Sequence, residues 1–313
     1  MARKQQSTID VVYVLGTGSA WKNNEIRFSL RSLAANLKKF GKIWVVGERP
    51  KFLKNIKHIP FPDTLINNAD GNIIRKVLRV CQEEDLSEDF LFINDDHLVM
   101  RPTVACMIPP YHKGDMTKFP KEYFEKDFWR GRLYRTRNIL VKKDLSALHF
   151  DCHTPIIFNK KLFPEVISHF DYEKNIGYTM KSLYGNSVYQ KEAVKLTGQK
   201  TTIFRPMMLA DIKSETAHRQ IVSFNDRGLT AALKQWLIET FPKASQYEDP
   251  SSADPFLEIV AWLKSSEKDY TEGVVLFEKY GKSNKVKKYL SKSRTVARDF
   301  KLEHKIRELL NYI

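Results

Sequence analysis

Short β-branched and apolar runs alternate with stretches of helical periodicity through the first hundred residues, and this alternation leaves the chain few folds to choose from. Ile9–Leu15 (IDVVYVL) reads as a buried strand that stops at Gly16-Thr17-Gly18-Ser19, a glycine-rich turn. Over residues 25–39, Ile26, Leu30, Leu33 and Leu37 recur at helical spacing with charged residues between them, and Gly41 follows. Residues 43–46 (IWVV) give a second strand and 56–59 a third. A second helix over 72–84 carries Ile73, Val77 and Val80 on one side, and 89–94 (DFLFIN) is another buried strand. Strands alternating with helices predict an α/β domain with a mainly parallel sheet and flanking helices.

Beyond residue 101 the pattern loosens, with Pro102, Pro109, Pro110 and Pro120 breaking regular structure. A strand is expected over 154–158, a helix over 161–169, and another over 228–241 with Leu229, Leu233, Trp236 and Leu237 on one face. The Pro-, Ser- and Asp-rich stretch 242–255 reads as a linker. The expected organisation is thus a domain over 1–245 and a small basic helical appendage over 256–313. With 313 residues and 42% hydrophobic side chains the chain can bury a core, which excludes disorder. No apolar run approaches the roughly 18 residues of a membrane span, and no signal-peptide core follows the N-terminus, so no membrane partner is expected. Cys81, Cys106 and Cys152 are too scattered for a disulfide framework or a zinc site, which fits a reducing cytoplasm.

The densest chemical signal is Phe92-Ile93-Asn94-Asp95-Asp96-His97, where an apolar strand delivers an amide and two adjacent carboxylates to its carboxyl end. Ligands of open α/β sheets bind at that edge. Neighbouring carboxylates repel unless a cation lies between them. A divalent ion, Mn²⁺ or Mg²⁺, held by Asp95 and Asp96 and bridging to a diphosphate fits this pattern, with Asn94 and Asp95 also facing the donor; the competing reading is a solvated turn or helix cap. Gly16, Thr17 and Gly18 would let the backbone approach a nucleotide, although a tight turn without a ligand explains them nearly as well. Arg27 and Arg31 share one helix face, and guanidinium forks suit a diphosphate; Arg75 precedes the Asn-Asp-Asp strand and could approach the same site. His153, beside Asp151, could be a metal ligand, a phosphate contact, a catalytic base or simply a hydrogen-bonded loop residue, with Asp151 as the rival base.

The charge balance, 52 basic against 37 acidic residues for a net +15, attracts polyanions. Two acid-free runs concentrate it. Residues 129–143 interleave Trp129 and Tyr134 with Arg130 and Arg132, a pattern that can grip phosphates and stack on an unpaired base. Residues 279–298 hold eight Lys or Arg, among them Lys285, Lys287 and Lys288. Each run reads equally as a solvated segment.

Four blocks together, residues 9–13, 24–33, 43–46 and 86–96, resemble in order and spacing the Stealth family of sugar-1-phosphate transferases, whose fold is that of GT-A nucleotide-sugar transferases. The likeness spans about residues 9–102, with a weaker block at 151–155 (DCHTP). It implies a nucleoside-diphosphate sugar as donor and a divalent ion. It favours Arg27 over Arg31 as the diphosphate contact, leaves Arg31 on the surface, and singles out Asp151 and His153 as catalytic residues. The family's first block continues with two acids, whereas Leu15-Gly16-Thr17-Gly18-Ser19-Ala20-Trp21 has none. That difference points to simple glycosyl transfer. The positive charge points to a polyanionic acceptor such as DNA carrying a hydroxymethylated pyrimidine, flipped from its stack with help from Trp129 and Tyr134. The rivals are sugar-1-phosphate transfer to a surface polysaccharide and a non-catalytic nucleic-acid-binding protein on a transferase-like fold.

Overall fold

The computed structural model describes residues 7–19, 21–174 and 176–249. They fall into two compact units. The first contains the chain up to Thr201 with Arg219–Ser223 and Ser245–Asp249; the second contains Thr202–His218 and Phe224–Ala244. The expected basic appendage, with Lys285, Lys287 and Lys288, lies outside the described residues.

The first unit is α/β. Strands β1 (Ile9–Leu15), β3 (Phe40–Gly47), β4 (Lys57–Ile59), β5 (Asp89–Phe92) and β9 (Ile156–Asn159) form a sheet of order β4-β3-β1-β5-β9. The first four are mutually parallel, and β9 joins β5 antiparallel at the edge. Between them run α1 (Asn24–Asn36) and α2 (Ala69–Val80), both close to the bounds their periodicity predicts. Shorter pairs complete the unit: β2 (Leu37–Lys38) with β7 (Thr103–Val104), and β8 (Tyr111–His112) with β10 (Val194–Lys195). Strand β6 (His97–Val99) pairs antiparallel with residues 221–223.

Both sheet faces are buried, as parallel sheets require. On one face Ile9, Val11, Tyr13 and Leu15 pack with Ile26, Leu30 and Leu33 of α1. On the other, Val12, Phe92 and Phe158 pack against α2, α4 (Phe128–Lys142), α5 (Leu162–Ser168) and α6 (Met180–Val188). The short helix α3 (Lys121–Phe124) contributes Phe124 to the same cluster. Asp10 ties the amino-terminal edge together: its carboxylate accepts from Lys42 N–H, Trp44 Nε1 and Ser87 N–H.

Two expectations are corrected here. Residues 129–142 are helical rather than an irregular solvated segment. Asp127 caps α4 by accepting from Arg130 N–H, and the buried Leu133, Thr136 and Leu140 form its inward stripe. Residues 245–249, inside the expected linker, are packed into the first unit: Glu248 is buried and accepts from both Arg27 and Arg31.

The second unit contains α7 (Leu209–Thr216) and α8 (Ala231–Thr240), joined by a Lys213–Glu239 ion pair at 2.7 Å; Ile212, Leu233, Trp236 and Leu237 are among its buried apolar residues. No helix among the described residues is long and apolar enough to cross a membrane.

Candidate active site at the carboxyl edge of the sheet

Helix α1 fixes the segment after the carboxylate pair. Ser29, Ser32 and Asn36 recur at i, i+3 and i+7 and dock on β6: Ser29 Oγ donates to His97 O at 2.6 Å, Val99 N–H to Ser32 Oγ at 3.0 Å, and Asn36 Nδ2 to Val99 O at 2.7 Å. The chain turns between Asn94 and His97, with His97 N–H donating to Asn94 O, and this turn leaves Asp95 and Asp96 at the end of the sheet.

Three ligand atoms converge there. His97 Nε2 lies 3.6 Å from Asp96 Oδ1, and His153 Nδ1 lies 3.9 Å from Asp96 Oδ2. Ligand atoms of the three residues all lie within 4.8 Å of one another. Asp96 Oδ1, His97 Nε2 and His153 Nδ1 are buried and have no hydrogen-bond partner among the described residues. Buried polar atoms are nearly always satisfied, so three orphans facing one point fit a cation.

The electrostatics agree. Burial, aggravated by repulsion from Asp96, pushes the Asp95 carboxyl well above its ordinary range. Burial also raises Asp96, although Lys181 and Lys200 pull it back. Burial, with help from Lys200, Lys181 and Lys113, lowers His153 to about 3, and His97 is likewise held far down. Both imidazoles are therefore neutral at pH 7 and can ligate without first losing a proton. The two histidines are not equivalent. His97 Nδ1 faces the Asn94 N–H at 3.5 Å, which favours the proton on Nε2, the nitrogen that would ligate. His153 carries no such conflict, but its backbone sits in the left-handed region at φ 55°.

Beside this cluster a cleft of about 460 Å³ opens, lined by Gly16, Asp63, Lys76, Asp95, Phe128 and Arg132 among others. Lys76, one of its buried cations, donates to Leu15 O at 2.8 Å and pairs with Asp63 at 2.6 Å. Gly47, at φ 108°, makes room: a Cβ there would strike the Leu15 carbonyl and crowd Lys76.

The structure brings some predicted residues together and separates others. Gly16, Asp95 and Arg132 meet in the cleft, and Asp96 and His153 meet beside it. Asn94 holds the turn through its backbone. Thr17 and Gly18 are exposed and outside the cleft lining.

Arg27 is corrected as a diphosphate contact. Its guanidinium donates to Glu248 at 2.8 Å and to Asn24 at 3.2 Å and lies 3.8 Å over the Phe52 ring, so it is spent on the fold. Arg31, expected on the surface, is buried in the same ion pair. Arg75 is engaged with Thr64 and, at 3.7 Å, with Glu173, outside the cleft lining. Asp151 is engaged in the fold: its carboxylate accepts from Lys181 N–H, Ser182 N–H and Ser182 Oγ, anchoring the first turn of α6.

The aromatic-basic run does not act as one surface. Residues five apart on a helix diverge by about 140° around its axis. Trp129 accordingly turns to His149 and His153, at ring distances of 5.8 and 6.4 Å, while Tyr134 packs on Phe124 at 5.2 Å. Arg130 pairs with Asp127, and Arg132 with Asp70.

Sequence reasoning missed Lys76, Lys181 and Lys200, which stand alone in the chain with no local motif. It also gave His97 little weight, although its place directly after the carboxylate pair was a usable signal.

No family model and no curated protein matches the chain. Solved structures resemble it. They include the galactosyltransferase LgtC in complex with donor and acceptor sugar analogues (11% identity, covering 76% of this chain and 98% of that one, TM-score 0.43). Mouse xyloside xylosyltransferase 1 is similar at 11% identity, 71% and 100% coverage and TM-score 0.38. The bifunctional glycosyltransferase WbbM is similar at 12% identity, 83% and 52% coverage and TM-score 0.43.

Proposed function

We propose that this chain is a metal-assisted glycosyltransferase with a GT-A-like fold that uses a nucleoside-diphosphate sugar. The observation that carries the reading is the convergence of Asp96, His153 and His97, with unpartnered ligand atoms, beside the 460 Å³ cleft at the carboxyl ends of parallel strands. In the reaction the acceptor hydroxyl oxygen bonds to the anomeric carbon, the bond from that carbon to the diphosphate oxygen breaks, and the nucleoside diphosphate and one proton leave.

Asp96 and His153 would hold the ion, with His97 as the weaker donor; imidazole nitrogens in the set favour a transition ion such as Mn²⁺ over Mg²⁺. Bound there, the ion supplies a Lewis acid for the departing diphosphate. Lys76 and Arg132 line the cleft with acidic partners of their own, and Lys76 would turn from the half-exposed Asp63 carboxylate to the donor's diphosphate, the role expected of Arg27 from sequence. Asp95, on the cleft lining, would exchange a hydrogen bond with a donor hydroxyl, since its raised carboxyl can donate as well as accept. His153 would serve as a ligand, since its unpartnered Nδ1 faces Asp96 Oδ2 at 3.9 Å.

A polyanionic acceptor, hydroxymethylated DNA being one, keeps the +15 net charge as its support. Tyr134 no longer belongs to a paired stacking platform, and Arg130 and Arg132 already have acidic partners.

The test is a screen of nucleoside-diphosphate sugars on the full chain with Mn²⁺, Mg²⁺ or chelator, reading which nucleotide is released. Release of the diphosphate with Mn²⁺ and none in chelator is expected. Release of the monophosphate would replace glycosyl transfer with sugar-1-phosphate transfer. Absence of metal-dependent nucleotide binding would reject the reading.

A further inference from the structure

The cleft beside the ligand cluster already holds an anion that belongs to the chain. Lys76, carried on α2 and buried, reaches the carboxyl end of β1 and sets its ammonium 2.6 Å from Asp63 Oδ1. The other carboxylate oxygen leans over Gly16: a Cβ built on that glycine would stand 3.1 Å from Asp63 Oδ2. One carboxylate thus lies against a buried cation and over a bare stretch of backbone, and all three residues line the 460 Å³ cleft. Those are the surroundings a phosphate group seeks, with positive charge to meet and main chain that no side chain covers.

The two partners are held unequally. Lys76 is fixed, since its Nζ also donates to Leu15 O at 2.8 Å and its Cε and Nζ lie in the room that Gly47 leaves. Asp63 is half-exposed, and the chain after it is anchored without its carboxylate. Thr64 N–H and Leu65 N–H donate to Asn72 Oδ1 at 3.1 and 2.9 Å, and Asn72 Nδ2 donates to Leu65 O at 3.0 Å. Rotation of the Asp63 side chain alone would carry its carboxylate into water while the loop stays in place. A buried ammonium stripped of its counter-charge is strongly destabilising. Asp63 therefore leaves at low cost only when another anion takes its place.

We propose that the Asp63 carboxylate is a resident stand-in for a ligand phosphate: it occupies the anion position against Lys76 and over Gly16, and an incoming diphosphate binds by displacing it. Asp63 then sets how tightly the cleft takes its ligand, because only the fraction of molecules with Lys76 released is competent to bind. It also keeps the empty cleft stable. That the displacing anion is the diphosphate of a sugar donor rests on the glycosyltransferase reading; the exchange itself can be measured without turnover.

Calorimetric titration of the full chain with inorganic pyrophosphate, in Mg²⁺ at fixed ionic strength, reads the exchange. Asp63→Asn should bind pyrophosphate about tenfold more tightly than the parent chain, the scale of a hydrogen bond to a charged group, because the competing carboxylate is gone. Asp63→Ser should gain similarly, with circular dichroism checking that both variants are folded. Without ligand both should melt at a lower temperature than the parent, and pyrophosphate should restore the loss. In a Lys76→Met background, Asp63→Asn should leave pyrophosphate affinity unchanged, since no ammonium remains to compete for. An equal gain in that background would overturn the proposal, because removal of any nearby negative charge would then explain it. Unchanged or weaker pyrophosphate binding by the Asp63 variants would assign the ion pair to the fold alone and overturn it, as would no pyrophosphate binding by any form. A gain for pyrophosphate in a chain that binds no nucleoside diphosphate would keep the exchange and lose the glycosyltransferase reading. Nucleoside-diphosphate binding without that gain would do the reverse.

Discussion

His153 Nδ1 stands 3.9 Å from Asp96 Oδ2 although 57 positions separate the two residues, and neither Asp96 Oδ1 nor His153 Nδ1 has a hydrogen-bond partner among the described residues. The chain goes through α4 and returns next to β5 as β9, so the loop before β9 presents its histidine to the carboxylate at the end of β5.

Asp96→Asn should lower affinity for Mn²⁺ by at least about a hundredfold, because loss of a direct ligand should exceed the 10–100-fold cost of losing an outer-shell partner. It also removes one of two repelling buried carboxylates, so thermal stability without metal should stay level or rise. Calorimetry and melting curves on one preparation read both quantities.

The two histidines should separate in the same assay. His153→Gln should weaken Mn²⁺ binding more than His97→Gln, because His97 must move its proton to the nitrogen facing the Asn94 N–H before it can ligate. Equal losses would show that the His97 tautomer imposes no cost.

Lys76→Met should weaken nucleoside-diphosphate binding by about 10–100-fold, the range expected for a hydrogen bond to a charged group. Asp63, its partner, is 36% exposed and can be solvated when the ammonium is gone, so the fold should survive. Fluorescence or calorimetric titration alongside circular dichroism distinguishes lost binding from lost structure.

Glu248→Ala should destabilise the first unit by about 3–5 kcal/mol, since it leaves two buried guanidinium groups facing each other without their carboxylate. Burial alone would raise the Glu248 carboxyl, but hydrogen bonds from Arg31, Ser245 N–H and Arg27 outweigh it and hold the carboxyl below its ordinary value of 4.5. A depressed acid stabilises the native state fully above its unfolded pKa, and that contribution is lost as pH falls through the folded one. Urea midpoints should therefore drop between about pH 5 and pH 3 in the parent chain, and Glu248→Gln should flatten that part of the profile.

The parallel strands were legible because β1, β3 and β5 are β-branched or aromatic runs closed by Gly or Asp, and α1 and α2 carry clean 3.6-residue stripes. Helix α4 was not legible: its inward stripe of Leu133, Thr136 and Leu140 is thin, and arginines mask its periodicity. The Asp95-Asp96 pair showed itself by position at a strand end. The fate of Arg27 did not, because Glu248 lies 221 residues away and a guanidinium that binds phosphate looks the same in sequence as one that binds carboxylate. Asp151 misled for a similar reason, since a carboxylate beside a histidine suits catalysis and helix anchoring alike. Lys181 and Lys200 join the site only through the fold.

The left-handed backbone at His153 leaves a mark that can be traced through descent. A β-carbon residue at φ 55° costs conformational energy that Gly or Asn would largely avoid, so an imidazole held there for the sake of the ion would give way to those two residues once the ion was no longer needed. Lineages of this fold that give up the ion should be the ones that drift, and Gly or Asn at this position would mark them in a bare sequence.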